Sequence, residues 1–134
     1  MQGDEALLEA AQAARGRAYA PYSKFAVGAA LLCSDGTVVS GSNVENASYG
    51  LTMCAERSAL FSAVAAGHRH FSAIAVAGPP GVITAPCGAC RQVLAEFGTD
   101  LRVLYTSNER PVATTLAALL PAAFELPGAS EVGP

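Results

Sequence analysis

Residues 25–43, FAVGAALLCSDGTVVSGSN, decide the fold class. The first ten, FAVGAALLCS, are apolar on both alternating faces. A strand of that kind is covered on both sides, as in the interior of an α/β sheet. Asp35-Gly36 is a two-residue hairpin signal. It leads into TVVSGSN (37–43), so the first two strands should run antiparallel. With the alternation of strand and helix along the rest of the chain, this gives a mixed sheet with helices on both faces.

The rest of the chain supplies those helices and three more strands. Residues 4–18 read as a helix, with Leu7, Ala11, Ala14 and Ala18 at helical spacing, broken by Pro21 in YAPYSK. VENASYGLT is a polar loop. Residues 53–66 read as a second helix through Leu60, Phe61 and Val64, stopped by Gly67. SAIAVAG (72–78) is another doubly covered strand, and PPGVITAP a loop. Residues 87–97 form a short helix stopped by Gly98, and DLRVLYTS (100–107) a further strand. VATTL reads as a strand or turn and LAALLPAAF as a short helix. No internal repeat is present. The expected architecture is a three-layer α/β/α sandwich with a mixed five-stranded sheet. It is expected to occupy residues 1–125 as a single domain, followed by a mobile tail over 126–134.

Bulk properties exclude several classes. With 134 residues, half of them apolar and 14% charged, the chain should be globular. A net charge of −3 and a single lysine, Lys24, argue against a nucleic-acid polymer as partner, because phosphate contacts need clustered cations. MQGDEALLEAAQAARGR lacks a continuous apolar region, so it does not read as a secretory signal. No apolar run is long enough to span a bilayer, so no membrane partner is expected. Four cysteines are too few for a disulfide scaffold; a reducing, cytoplasmic setting is expected.

Three of those cysteines fall at helix starts: Cys54 at the head of the 53–66 helix, Cys87 and Cys90 in the first turn of the 87–97 helix. Helix N-termini carry partial positive charge and free N–H groups, which favour the thiolate, the metal-binding form. If the two helix starts converge, three thiolates can share one zinc ion and leave a fourth position open, which is the catalytic pattern. His68 and His70 lie at the far end of the Cys54 helix, roughly 20 Å away at 1.5 Å per residue. Cys33, inside the first strand, reads as a small buried hydrophobe. Glu56 sits two residues after Cys54, where a first-turn carboxylate can reach the same site and accept a proton. Three thiolates and Zn2+ sum to −1, so Arg57 and Arg91 are candidates to donate hydrogen bonds to the sulfurs and offset that charge.

C-A-E at 54–56 with P-C-x-x-C at 86–90 resembles the signature of zinc nucleoside and nucleobase deaminases. YAPYSKFAVGAAL (19–31), GSNVENASYGLTMCAERSAL (41–60), PCGACRQVLAEF (86–97) and LLPAAF (119–124) extend the resemblance to the small homotetrameric cytidine deaminases. The resemblance implies a cytidine deaminase-like fold with one zinc per subunit, held by Cys54, Cys87 and Cys90. It makes Glu56 the general acid/base. Asn43 and Glu45 would hydrogen-bond the ribose hydroxyls, and Phe25 would pack against the pyrimidine. Ala47 and Tyr49 would reach a neighbouring subunit's site, and Phe124 would close a site from a third. Backbone groups near Ala55 and Cys87 would read the base. The activity implied is hydrolytic deamination of cytidine and deoxycytidine in pyrimidine salvage, by a homotetramer with shared active sites.

Three other readings are weighed beside it. A related deaminase acting on a nucleoside antibiotic or another nucleobase should lack the Asn43/Glu45 pair. A thioredoxin-like couple at Cys87 and Cys90 leaves Cys54-Ala-Glu56 without a role. A structural zinc module needs a fourth protein ligand, and none is evident in the sequence.

Overall fold

The computed structural model describes residues 2–107 and 110–127. In chain order the elements are α1 (Gln2–Arg15), β1 (Gly28–Cys33), β2 (Val38–Ser42), a short 3-10 turn (Tyr49–Leu51), α2 (Ala55–Ala65) and β3 (Phe71–Ala77). Then follow α3 (Gly88–Ala95), β4 (Arg102–Ser107), β5 (Arg110–Thr115) and α4 (Leu116–Leu119). The sheet has the order β2-β1-β3-β4-β5. Only β3–β4 is parallel, with α3 as the crossover; the other pairs are antiparallel. The sheet is therefore mixed and five-stranded.

Alternation along the strands sorts the core into two layers. Ala30, Ala73, Ala75 and Leu104 face α1, where Leu7 and Ala11 cover them. Ala29, Leu31, Cys33, Ile74 and Val103 face the other way, against Ala55, Ala59, Leu60 and Ala63 of α2, Leu94 of α3 and Leu116 of α4. Two glycines let the helices approach closely. A Cβ on Gly28 would lie 2.0 Å from the Ala11 carbonyl oxygen of α1, and one on Gly41 would lie 2.4 Å from the Ala59 nitrogen of α2. Each helix thus sits directly on strand backbone, with no side chain between.

Several boundaries differ from the sequence expectation. The first helix ends at Arg15, not residue 18. The first strand begins at Gly28, because the Asn43 side chain occupies the backbone groups that would have extended the ladder. Its Oδ1 accepts from the Val27 N–H and its Nδ2 donates to the Phe25 carbonyl, both at 2.8 Å. The VATTL segment belongs to a strand that starts earlier, at Arg110. The hairpin turn has Gly36 at φ 93°, the left-handed region that Asp35-Gly36 signalled. Of the expected mobile tail, residues 128–134 lie outside the described residues.

Candidate active site

Both cysteine-bearing helices begin in the same way. Cys54 is the N-cap of α2 (φ −74°, ψ 154°) and Cys87 the N-cap of α3 (φ −69°, ψ 168°). In that extended conformation each residue precedes its helix by one position, which shifts both helix starts from the sequence expectation. Neither thiol caps its own helix, so both are free to turn toward a shared point. Cys90 follows within the first turn of α3. The three sulfurs all lie within 4.8 Å of one another, with Cys87 and Cys90 at 3.5 Å. Sulfurs sharing a tetrahedral zinc at about 2.3 Å stand about 3.8 Å apart, so the donor set fits that ion with small adjustments. Among the described residues no fourth ligand joins the cluster.

The electrostatics favour ionised sulfur. The Cys54 thiol is lowered to about 5, first by a hydrogen bond from Cys90 and then by Arg57. The same bond and burial push Cys90 up, so between them the pair holds a proton that a metal ion would displace. Arg57 Nη2 donates to Cys54 Sγ at 3.1 Å. Its Nε is buried without a hydrogen-bond partner among the described residues. Glu56, 5% exposed, is raised by burial, and the Cys54 thiolate adds to that shift. Burial favours the protonated form of this carboxyl beyond its ordinary tendency, which suits a group that must take up and release a proton.

The loop contacts bring the remaining candidates into two groups. Val44 and Met53 exchange backbone hydrogen bonds at 3.0 and 2.9 Å, which ties the Asn43–Glu45 segment to the residue before Cys54. Glu45 accepts from the Tyr22 N–H (2.9 Å), the Ser23 N–H (3.1 Å) and the Ser23 hydroxyl. The Ser23 hydroxyl contributes most to holding the Glu45 carboxyl below its ordinary value. Tyr22, Ser23, Glu45, Tyr49 and Thr52 line a concavity of about 410 Å³. Tyr49 packs edge-on against Tyr22 at 6.1 Å, and both rings are exposed. Asn43 is buried and braces the Phe25 loop, while the Phe25 ring is half-exposed.

Ala55 is buried in the α2 start, and Ala47 is exposed. Phe124 is 69% exposed, yet its backbone is pinned: Gln92 Nε2 donates to the Phe124 carbonyl at 3.0 Å and Gln92 Oε1 accepts its N–H at 3.4 Å.

Arg91 departs from the expectation that it would serve the sulfurs. Its Nε donates to the Pro86 carbonyl at 2.7 Å and its Nη1 to the Leu119 carbonyl at 3.0 Å. The reason is position: Arg91 points back along α3 to its own entry loop and to the end of α4. It braces the residue before Cys87, whereas the direct sulfur contact belongs to Arg57. Sequence reasoning also missed Ser23 and Gln92. Ser23 carried only a break signal in YAPYSK, and nothing in the spacing of Gln92 marks it as the partner of a residue 32 positions away.

Residues 1–106 match the family described as "Cytidine and deoxycytidylate deaminase zinc-binding region". A protein named cytidine deaminase from Sporosarcina psychrophila is 50% identical over 122 residues, covering 90% of each chain. One from Halalkalibacterium halodurans is 51% identical over 120 residues, covering 88% of this chain and 91% of the relative. The crystal structure of a cytidine deaminase from Burkholderia pseudomallei superposes with a TM-score of 0.85 at 58% identity, over 90% of this chain and 98% of that one. A family described by its zinc-binding region and a cluster of three sulfurs within 4.8 Å of one another agree on the metal. The chain belongs to the zinc-dependent cytidine and deoxycytidylate deaminase family.

Proposed function

We propose that this protein hydrolytically deaminates cytidine and deoxycytidine, releasing uridine or deoxyuridine and ammonia. The observation that carries the proposal is the meeting of two helix N-termini: three sulfurs within 4.8 Å of one another, and the buried carboxyl of Glu56 beside them. Cys54, Cys87 and Cys90 hold the zinc, with Arg57 partly neutralising the Cys54 thiolate. When bound there, zinc supplies a water acidified to a pKa of about 7, hence a nucleophile at neutral pH.

Glu56 accepts the proton of that nucleophile and passes it to ring N3 of the pyrimidine. As the water oxygen bonds to C4, Glu56 takes the second proton from that oxygen and carries it to the amino group, which leaves as ammonia when the C4–N bond breaks. A carboxyl raised by burial suits both halves of this cycle, first as base and then as acid. Arg91 steadies Pro86 and so the direction of Cys87. Backbone groups at Ala55 and Cys87 face the base.

Glu45 faces the sugar end, where its carboxylate accepts from ribose hydroxyls, and Ser23 keeps it ionised. Asn43 braces the loop that presents Phe25 to the pyrimidine and has a second amide hydrogen to offer a hydroxyl. A carboxylate at this end disfavours a 5′-phosphate, so free nucleosides are the substrates.

Tyr22, Phe25, Tyr49, Leu51 and Phe124 are all exposed large apolar side chains, and a homotetramer with shared sites would give them partners. In it Ala47 and Tyr49 reach a neighbour's site, and Phe124, held by Gln92, closes a third subunit's. A site built from three free thiols suits a reducing cytoplasm, and the reaction suits pyrimidine salvage. The test is loss of ultraviolet absorbance with cytidine, deoxycytidine and cytidine monophosphate, alongside zinc analysis. Turnover of both nucleosides and little of the nucleotide is expected; equal rates with the nucleotide would refute the Glu45 reading.

A further inference from the structure

A second group of metal-ligating side chains lies at the opposite end of α2, about 16 Å from the first at 1.5 Å per residue. Cys33 ends β1, Asp35 sits in the hairpin turn and His68 follows Gly67 just beyond α2. One ligand atom of each lies within 4.8 Å of the other two. Cys33 is 1% exposed, and its sulfur makes no hydrogen bond among the described residues. Asp35 commits Oδ1 to the Thr37 N–H at 2.9 Å, which leaves Oδ2 facing His68 Nδ1 at 3.7 Å. That separation is too long for a hydrogen bond. It is close to the ~3.4 Å expected of two donors, each about 2.0–2.1 Å from one tetrahedral ion.

The backbone around the group is well fixed. Gly36 (φ 93°) and Gly67 (φ 100°) set the two turns. The His68 N–H bonds the Ala63 carbonyl at 3.0 Å, and the Ser34 N–H bonds the His70 carbonyl at 3.0 Å. The hairpin and the chain after α2 are therefore joined directly, and the donors do not have to be gathered from mobile loops.

We propose that Cys33, Asp35 and His68 form a second metal site, for zinc or a similarly borderline-soft divalent cation. Thiolate, imidazole and carboxylate are each zinc ligands, whereas calcium and magnesium take oxygen donors. Thiolate and carboxylate together cancel the ion's two positive charges, in contrast to the −1 of the three-thiolate centre. The fourth position is open to water. Binding releases the Cys33 thiol proton to solvent, since the thiolate is the ligand. Burial, with Asp35 adding to it, pushes that thiol up, so this site binds more weakly than the three-cysteine centre. Occupancy locks the β1–β2 hairpin to the end of α2 and stabilises the fold by linkage.

The test is calorimetric titration of zinc into protein already holding one ion per chain, in two buffers of different ionisation enthalpy. The wild type should bind a second ion with net proton release. His68→Gln should weaken that second event by tenfold or more, on the order of losses seen when metal-site partners are removed. Asp35→Asn, an exposed position, should do the same if His68→Gln folds poorly. Turnover without added zinc should be unchanged in both variants. A stoichiometry that stays at one, or a second ion held as tightly by both variants as by the wild type, would overturn the proposal.

Discussion

On one face of the sheet α1 reaches β1 at Gly28; on the other, α2 reaches β2 at Gly41. The packing device is the same, and both helices bury alanine-rich stripes. Their N-termini differ. The first turn of α1 carries Asp4 and Glu5, and Asp4 pairs with Arg102 of β4, so its dipole is answered by carboxylates on the surface. The first turns of α2 and α3 carry thiols and the buried Glu56, and the two helices point at one another's starts. In α2 and α3 the two termini meet, and their thiols and the buried Glu56 share one place.

The largest effect expected from testing this contrast is on Glu56. Glu56→Gln should keep the zinc and the fold but lower kcat by at least ~10³-fold, since proton transfer is the role proposed for it. Zinc content and steady-state rates check it, with Glu5→Gln on α1 as the silent counterpart. Near-wild-type turnover in Glu56→Gln would end the acid/base assignment.

Arg57→Ala comes next. Removing the donor to Cys54 Sγ should weaken zinc binding by about 10–100-fold, as loss of outer partners does elsewhere. Chelator competition measures it, and unchanged affinity would remove Arg57 from the site.

The glycine pair then separates packing from chemistry. Gly28→Ala and Gly41→Ala should each cost about 1–3 kcal/mol from overpacking, visible as a lower Tm. Only Gly41→Ala should also weaken zinc, because it lifts the helix whose N-cap is Cys54. Equal zinc affinity in the two variants would show that α2 placement is not critical.

The smallest effect concerns Glu45 and its Ser23 partner. Ser23→Ala should raise the Glu45 carboxyl toward its ordinary value. The sign follows from linkage: a lowered carboxyl contributes stability above its unfolded value and loses it as pH falls through the folded one. The variant should therefore have a smaller acid-labile contribution, and its Glu45 should titrate at higher pH by NMR. An unmoved Glu45 titration would assign the shift to the backbone N–H groups of Tyr22 and Ser23 instead.

Much of the fold was legible because it rests on local patterns. FAVGAALLCS announced burial on both faces, Asp35-Gly36 the hairpin, and Gly67 and Gly98 the helix ends. The misreading at residues 25–27 came from a contact 16 positions away, the Asn43 amide taking the Val27 N–H. Asn43 shows the limit on the functional side as well. Its residue type suits a sugar contact, yet much of its hydrogen-bonding capacity goes to the Phe25 loop, a commitment that no local pattern reveals. Arg91 is similar: its neighbourhood in sequence pointed to sulfur, and its reach led to carbonyls at 86 and 119.

The sequence by itself determined the types of ligand, the count of three, their placement at helix starts, and the carboxylate two residues from the first. Those follow from spacing along one chain and from the dipole of a helix end. Only the tertiary structure decided which arginine serves the thiolates, which serine holds Glu45, and that Cys33, Asp35 and His68 meet. The physical reason is range. Spacing and propensity act over a few residues, whereas these contacts depend on how β2, α2 and α3 stack, and that is set by backbone approaches such as Gly41 on Ala59.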